Sequence, residues 1–272
     1  MQTSFIPSMT RGNDFFVAKD GHFTLDPGAY FGITPRNVWS KSFSVNEQYR
    51  VDLRANIPVI EDDGKFYIID GGLGSSPDEK VSVWFQCRKD KDLMDELHSR
   101  GIEKIDGIFQ SHLHFDHMGH TFTDFPGTPV YVSNTEIGNM RHPDELSRAS
   151  YTKWKDSFHS ANIRPLFGNT EIGNFSIIRT SGHTTGHQAI IYRKGSTGIL
   201  YAGDLIPSSF HLKPSRITAI DSMPLSTLRV KKDLLRRAID EKLLVLFSHD
   251  TEHSGAYIGG DSSDPKVMEY FD

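Results

Sequence analysis

The chain has 272 residues, with 30 Lys and Arg against 35 Asp and Glu and a formal net charge of −5. Hydrophobic residues are 37% and charged residues 24%, a globular balance that excludes a disordered or collagen-like chain. No apolar run approaches the roughly 18 residues of a membrane span, and the acidic balance argues against a nucleic-acid-binding surface.

Met1 to Phe16 lacks the basic start and unbroken apolar stretch of a secretion signal. Arg50 to Ile60 reads as a strand, Asp62-Asp63-Gly64 as a turn, and Lys65 to Asp70 as a second strand running into Gly71 and Gly72; together they predict a hairpin. Leu93, Met94 and Leu97 fall at helical spacing, with Gly101 as the stop. Ile105 to Gln110 predicts a buried strand. Further strands are expected at Val130 to Ser133, Phe175 to Arg179, Ala189 to Arg193 and Ile199 to Tyr201. A charged helix from about Ser226 to Glu241 is expected to bury Leu228, Leu234, Leu235 and Ile239, and it leads into a strand at Leu243 to Phe247.

No repeat or linker divides this order, so residues 1–272 are read as one α/β domain, two sheets packed together with helices outside. A single cysteine, Cys87, is expected to be buried and inert, and nothing calls for an oxidising compartment. The expected setting is cytoplasmic, without a membrane.

The polar residues gather at strand ends. Ser111 to His120 reads SHLHFDHMGH, in which His112, His114, Asp116 and His117 form H-x-H-x-D-H. Imidazoles two residues apart on a strand-to-helix loop can converge on one cation, while Asp116 and His117 are turned toward a neighbouring position. Imidazole and carboxylate suit Zn²⁺, and also Mn²⁺ or Fe²⁺. Four ligands from one loop cannot satisfy two ions, and His183, Asp204 and His249, each just after a predicted strand, supply the rest.

The ordered set resembles the metallo-β-lactamase superfamily of hydrolases across roughly Pro58 to His249. That resemblance implies a four-layer αβ/βα sandwich with two divalent metal ions, zinc first, at one edge. It implies that His112, His114 and His183 hold one metal, that Asp116, His117 and His249 hold the other, and that Asp204 bridges them. Asp70, in IIDGG, matches the strand-end aspartate that supports the metal loop; a plain turn residue is the other reading. A hydroxide between two cations is available near neutral pH, because coordination lowers the pKa of water to about 7. It would attack a carbonyl or phosphoryl centre, with Asp116 as the catalytic candidate that carries the proton to the leaving group.

Fold alone does not choose the reaction. An aspartate at Asp204 departs from class B β-lactamases, the stretch after His249 is too short for the helical domain of glyoxalase II, and His114 departs from flavodiiron proteins. The tRNA-processing and CPSF-type nucleases bring extra RNA-binding elements, and neither those nor a basic surface is expected from these residues. Small-molecule hydrolases remain. Ala29 to Glu47, Leu53-Arg54 and Lys65 to Gly72, with SHLHFDH and the later GH-x-x-GH loop, resemble quorum-quenching lactonases of the YtnP type. The resemblance implies a small-molecule substrate, an acyl-homoserine lactone first. Tyr30, Phe31, Trp39 and Phe43 would form an apolar wall for its acyl chain, or would simply pack that segment on the core. The better-known homoserine lactonases place a tyrosine three residues after the bridging aspartate; here that residue is Pro207, leaving Ser208, Ser209 or His211 as replacements.

An organophosphate triester or another carboxylic ester is the alternative substrate, and a non-catalytic metal-bearing sensor the alternative class. Of the other histidines, His120 and His187 are expected around the metal loop, and His22, His98, His142, His159 and His253 on the surface. Arg141 to His159 is a candidate lid or homodimer surface.

Overall fold

The computed structural model describes residues 14–75, 78–151 and 155–272. The start of the chain, where no secretion signal was expected, lies mostly outside the described residues. So do three residues of the Arg141 to His159 segment.

The hairpin read between residues 50 and 70 forms as expected, and a long strand flanks it. The first sheet runs in chain order through β1 (Phe15–Leu25), β2 (Val51–Asp62), β3 (Lys65–Ile69), β4 (Gly107–Phe109), β5 (Val130–Ser133) and β6 (Ile163–Leu166). Its first two pairings are antiparallel and the other three parallel. Asp63 and Gly64 both take positive φ, 52° and 75°, which a two-residue hairpin turn requires to match the twist of its strands.

The second sheet runs likewise through β7 (Thr170–Ile172), β8 (Phe175–Arg179), β9 (Gln188–Lys194), β10 (Thr197–Tyr201), β11 (Leu244–Leu246), β12 (Gly255–Gly259) and β13 (Lys266–Phe271). Among the described residues of this sheet, only β10 and β11 pair in parallel. The helices are α1 (Pro27–Phe31), α2 (Arg36–Trp39), α3 (Glu79–Phe85), α4 (Leu93–Ser99), α5 (Phe115–Thr123), α6 (Asn134–Arg141), α7 (Lys155–Ser160) and α8 (Pro224–Asp240). The parallel step from β10 to β11 needs a crossover, which α8 supplies.

Three apolar clusters define four layers. Ile60, Ile69 and Phe109 from the first sheet meet Phe175, Ile190, Tyr192, Tyr201 and Leu246 from the second. Outside the first sheet, Ile68, Ile108 and Val132 pack on Leu93, Leu97, Met118 and Ile137 of its helices. Outside the second, Ala189, Ile191, Leu200 and Val245 pack on Leu234, Leu235 and Ala238 of α8. Successive residues of β9 thus face different apolar layers, so that strand reads as a continuous apolar run rather than an alternating one. On α8, Leu228 and Ile239 are only half-buried, and Lys231 is buried beside Leu234 and Leu235.

This topology gathers the strand ends that matter. β3, β4 and β5 are parallel, so Asp70 and the loop after Phe109 leave the first sheet at one edge. β8, β10 and β11 run in one direction in the second sheet, so the loops carrying His183, Asp204 and His249 leave it together. Backbone and side-chain bonds join the two edges. Asn56 donates to Ser248 O at 2.9 Å and, through Nδ2, to Phe247 O at 3.1 Å. Gln188 donates to Ser111 O at 2.9 Å and to Gln110 O at 2.8 Å.

Candidate metal centre

The histidine cluster begins where β4 ends. Ser111 and His112 leave the strand, His114 stands at the N-cap of α5, and Asp116 and His117 occupy its first turn. α5 is seated on the Asp70-Gly71-Gly72 loop by main-chain bonds: Gly71 N to His117 O at 2.5 Å, Gly119 N to Gly72 O at 2.8 Å, and His120 N to Gly71 O at 2.8 Å. A Cβ on Gly119 would lie 2.1 Å from the Leu73 carbonyl carbon, so the close approach requires glycine there.

All seven residues singled out in the sequence converge. His112, His114 and His183 form one group and Asp116, His117, Asp204 and His249 a second, the donor atoms of each lying within 4.8 Å of one another. His183 Nε2 stands 3.1 Å from His114 Nδ1, and His117 Nε2 stands 3.1 Å from His249 Nε2. Asp204 lies between the groups: one oxygen is 3.1 Å from His117 and 3.0 Å from His249, the other 3.4 Å from His183.

Burial, reinforced by neighbouring imidazoles, holds His112 and His114 well below the ordinary imidazole pKa, which leaves them neutral. Burial opposes charge on Asp204, but His117, His249 and His183 outweigh it and hold that carboxyl well below the usual range. Burial pushes Asp116 up. Among the described residues, His112 Nε2 is buried without any hydrogen-bond partner. Neutral imidazoles with free nitrogens, converging on carboxylate oxygens, fit divalent cations.

Behind the donors, the far imidazole nitrogens are held. His117 Nδ1 lies 2.7 Å from Asp70 Oδ2, His183 Nδ1 2.8 Å from Asp221 Oδ1, and His249 Nδ1 3.0 Å from the Arg54 carbonyl. Asp70, in the left-handed region at φ 64°, also accepts from Ser111 N and Oγ, both at 2.6 Å, and from the Tyr201 hydroxyl at 2.9 Å. Asp70 thus ties His117 and Ser111 of the histidine loop to Tyr201 of the second sheet.

In front of the donors opens a cavity of about 310 Å³. His114, Asp116, Asp204 and His249 face it, and Leu25, Tyr30, Phe85, Phe115, Pro207 and Ile220 supply apolar walls. Trp84 and Leu146, 71% and 98% exposed, stand at its lining too.

Residues 50–249 match the model of the metallo-beta-lactamase superfamily. The chain belongs to that superfamily. It is 30% identical over 118 residues to the Methanocaldococcus jannaschii protein named Probable metallo-hydrolase MJ0888, covering 42% of this chain and 55% of that one. It is 28% identical over 149 residues to an N-acyl homoserine lactonase of a Bacillus species, covering 53% and 56%. The chain thus spans about half the length of these curated relatives. The crystal structure of a probable metal-dependent hydrolase from Staphylococcus aureus superposes with a TM-score of 0.84, at 22% identity, over 94% of this chain and 95% of that one.

Within this metallo-beta-lactamase fold, the residues expected at the substrate divide. Tyr30 lines the cavity. Phe31 and Trp39 are buried instead, stacked at 4.8 Å, with Phe43 4.9 Å from Phe31. They pack on Phe23, Leu53 and Phe210, where apolar area is best removed from water. Ser208 and His211 are fully buried and bond each other at 2.8 Å; His211 Nε2 reaches the Tyr30 carbonyl rather than the cavity. Ser209 donates its N–H to Asp250 Oδ2 at 2.9 Å.

His22, expected on the surface, has a side chain only 13% exposed and bonds Asp52 at 2.8 Å. Cys87 is half-buried, and burial pushes its thiol up to about 11. His120 bridges Asp20 and Asp124 at 2.8 and 2.7 Å. Asp20, Asp92 and His120 also lie close enough to hold a cation, but Lys89 already pairs with both carboxylates.

Two supporting carboxylates escaped the sequence reading. Asp221 sits in an unremarkable loop before α8, with no motif to flag it. Glu136 is buried and accepts from Leu113 N at 3.1 Å, Tyr151 Oη at 2.6 Å, Thr184 Oγ1 at 2.7 Å and Asn139 Nδ2 at 3.0 Å. Its one sequence signal, Ser133-x-x-Glu136, suggests a helix capping box. Ser133 does cap α6 by accepting from Thr135 N, but the glutamate turns inward and ties the His112–His114 loop to the His183 loop.

Proposed function

We propose that this protein is a dinuclear metal-dependent hydrolase that opens lactones, with acyl-homoserine lactones as the first substrate class. The observation that carries the reading is the seven-donor cluster at the end of an apolar cavity. The Bacillus lactonase among its relatives supports the choice of substrate.

In this proposal His112, His114 and His183 would hold one ion, Asp116, His117 and His249 the second, and Asp204 would offer an oxygen to each. Two divalent cations, zinc first, supply Lewis acidity and water activation near neutral pH when bound. The chain's own residues do the rest. Leu25, Phe85, Phe115 and Ile220 receive an acyl chain and exclude water from the reacting end. Asp116, buried at the cavity, moves the proton to the leaving alkoxide, so Asp116→Asn is expected to retain some metal yet lose most turnover. Near-normal turnover in a metal-replete mutant removes that role.

The test is ring opening of short- and long-chain acyl-homoserine lactones, followed by proton release, on protein of quantified metal content. Activity that chelation abolishes, with two ions per chain, supports the reading. Two ions bound with no lactone opened overturns the substrate class and turns the search to phosphotriesters.

A further inference from the structure

Among the described residues lining the cavity, two buried side-chain atoms lack a hydrogen-bond partner: His114 Nε2 and the Tyr30 hydroxyl. The first belongs to an imidazole of the donor cluster. The second has no role in what has been described so far, and a buried polar group without a partner is rare enough to require a reason.

The phenol is held firmly. Asp26 caps α1 by accepting from Gly28 N at 2.7 Å, and the Tyr30 carbonyl accepts from His211 Nε2 at 3.0 Å. The ring packs edge-on against His211, Phe31 and Phe43 at centroid separations of 4.6, 5.0 and 6.1 Å. Ser208 lies near enough to influence the hydroxyl without meeting hydrogen-bond geometry, and its own Oγ is engaged by His211. Tyr30 shares the cavity with Asp116, Asp204, Pro207 and His249. Two other polar side chains there are committed: the Arg50 guanidinium donates to Thr24 Oγ1 and O, and the Thr218 hydroxyl donates to Asp221. Burial, with Asp250 and Asp204 adding to it, keeps the phenol protonated.

We propose that the Tyr30 hydroxyl is a catalytic hydrogen-bond donor to the oxygen of the substrate's reacting carbonyl. This rests on the lactonase reading above. The phenol keeps its proton throughout; it stabilises charge building on that oxygen, and its rigid packing lets it do so without reorganising.

The test is Tyr30→Phe, which keeps the aromatic wall and removes only the hydroxyl. Metal content is expected to stay at the wild-type value. KM is expected to stay within about twofold, while kcat falls about tenfold to a hundredfold, as for the loss of one such donor. The thermal midpoint is expected to hold or rise, because no protein bond is lost with the hydroxyl. A lowered midpoint with unchanged kcat would make the hydroxyl structural and overturn the proposal. Wild-type protein that carries two ions but opens no lactone would overturn the lactonase reading, and this role with it; active wild type with an equally active Tyr30→Phe removes the role alone.

Discussion

His117, His183 and His249 each present Nε2 to the donor cluster because Nδ1 is engaged behind it, two of them by carboxylates. Such outer partners fix the tautomer and raise the basicity of a ligating nitrogen. Asp221→Asn is therefore expected to weaken metal binding about tenfold to a hundredfold, read by competition with a chromophoric chelator; unchanged affinity would mean that packing alone orients His183. Glu136 poses a different problem. Among the described residues its carboxylate meets four donors and no formal cation, so a glutamine amide would turn N–H groups toward N–H and O–H donors. Glu136→Gln is expected to cost about 2–4 kcal/mol, from the loss of bonds to a charged acceptor and the donors left unpaired. Denaturant unfolding of metal-free protein reads that cost, and a value below about 0.5 kcal/mol would contradict the tie between the two loops.

At the scale of elements, α5 and α8 carry the most telling contacts. A Cβ on Gly119 would meet the Leu73 and Gly74 backbone at 2.1 and 2.2 Å, and backbone cannot swing aside as a side chain can. Gly119→Ala is expected to destabilise by about 3 kcal/mol, the upper range for overpacking, and to lower metal content because Asp116 and His117 ride on the same turn. On α8, Lys231 is fully buried with its Nζ on the Arg216 carbonyl at 2.7 Å, and burial brings its pKa down to about 7 from 10.5, with Asp221 opposing and Arg216 adding to the shift. The unfolded chain then binds the extra proton between about pH 7 and 10.5, so this group's cost is full below pH 7 and fades as pH rises through that window. The stability of Lys231→Met relative to wild type is expected to be most favourable near pH 6 and to decline toward pH 10. Unfolding free energies of both proteins across that range test it, and a pH-independent difference would show that Lys231 titrates normally. These two helices also mark what could be read beforehand. The apolar rows of α8 and the twice-covered strands β9 to β11 were visible as unbroken apolar patterns. The bulge between Lys19 and His22 hides β1, the exposed, charged β13 looks like loop, and α1 and α2 are too short for periodicity to show.

At the scale of the whole molecule, the candidate ligands divide between the two sheets. His112, His114, Asp116 and His117 follow β4 of the first, while His183, Asp204 and His249 follow β8, β10 and β11 of the second. The donor motif was legible because ligand chemistry limits residue types and spacing tightly. Of the cavity walls only Tyr30 was, since Leu25, Phe85 and Ile220 are brought together only by tertiary packing and look like any core residue in the chain. Because each ion would draw donors from both sheets, bound metal would act as a cross-link between layers and not merely as a cofactor of one loop. A species that binds the folded state alone stabilises it by about 2.7 kcal/mol when present at roughly a hundred times its Kd. Two such ions correspond to a rise in thermal midpoint on the order of 10 °C for a chain of this size. Stripping metal should lower the midpoint by that amount, and His183→Ala, which removes a donor from the second sheet, should forfeit about half of the metal-dependent rise. Differential scanning calorimetry with and without added zinc decides between outcomes. A rise that is the same in wild type and His183→Ala would mean that any metal is held by the first sheet's loop alone, and the cross-link would have to be abandoned.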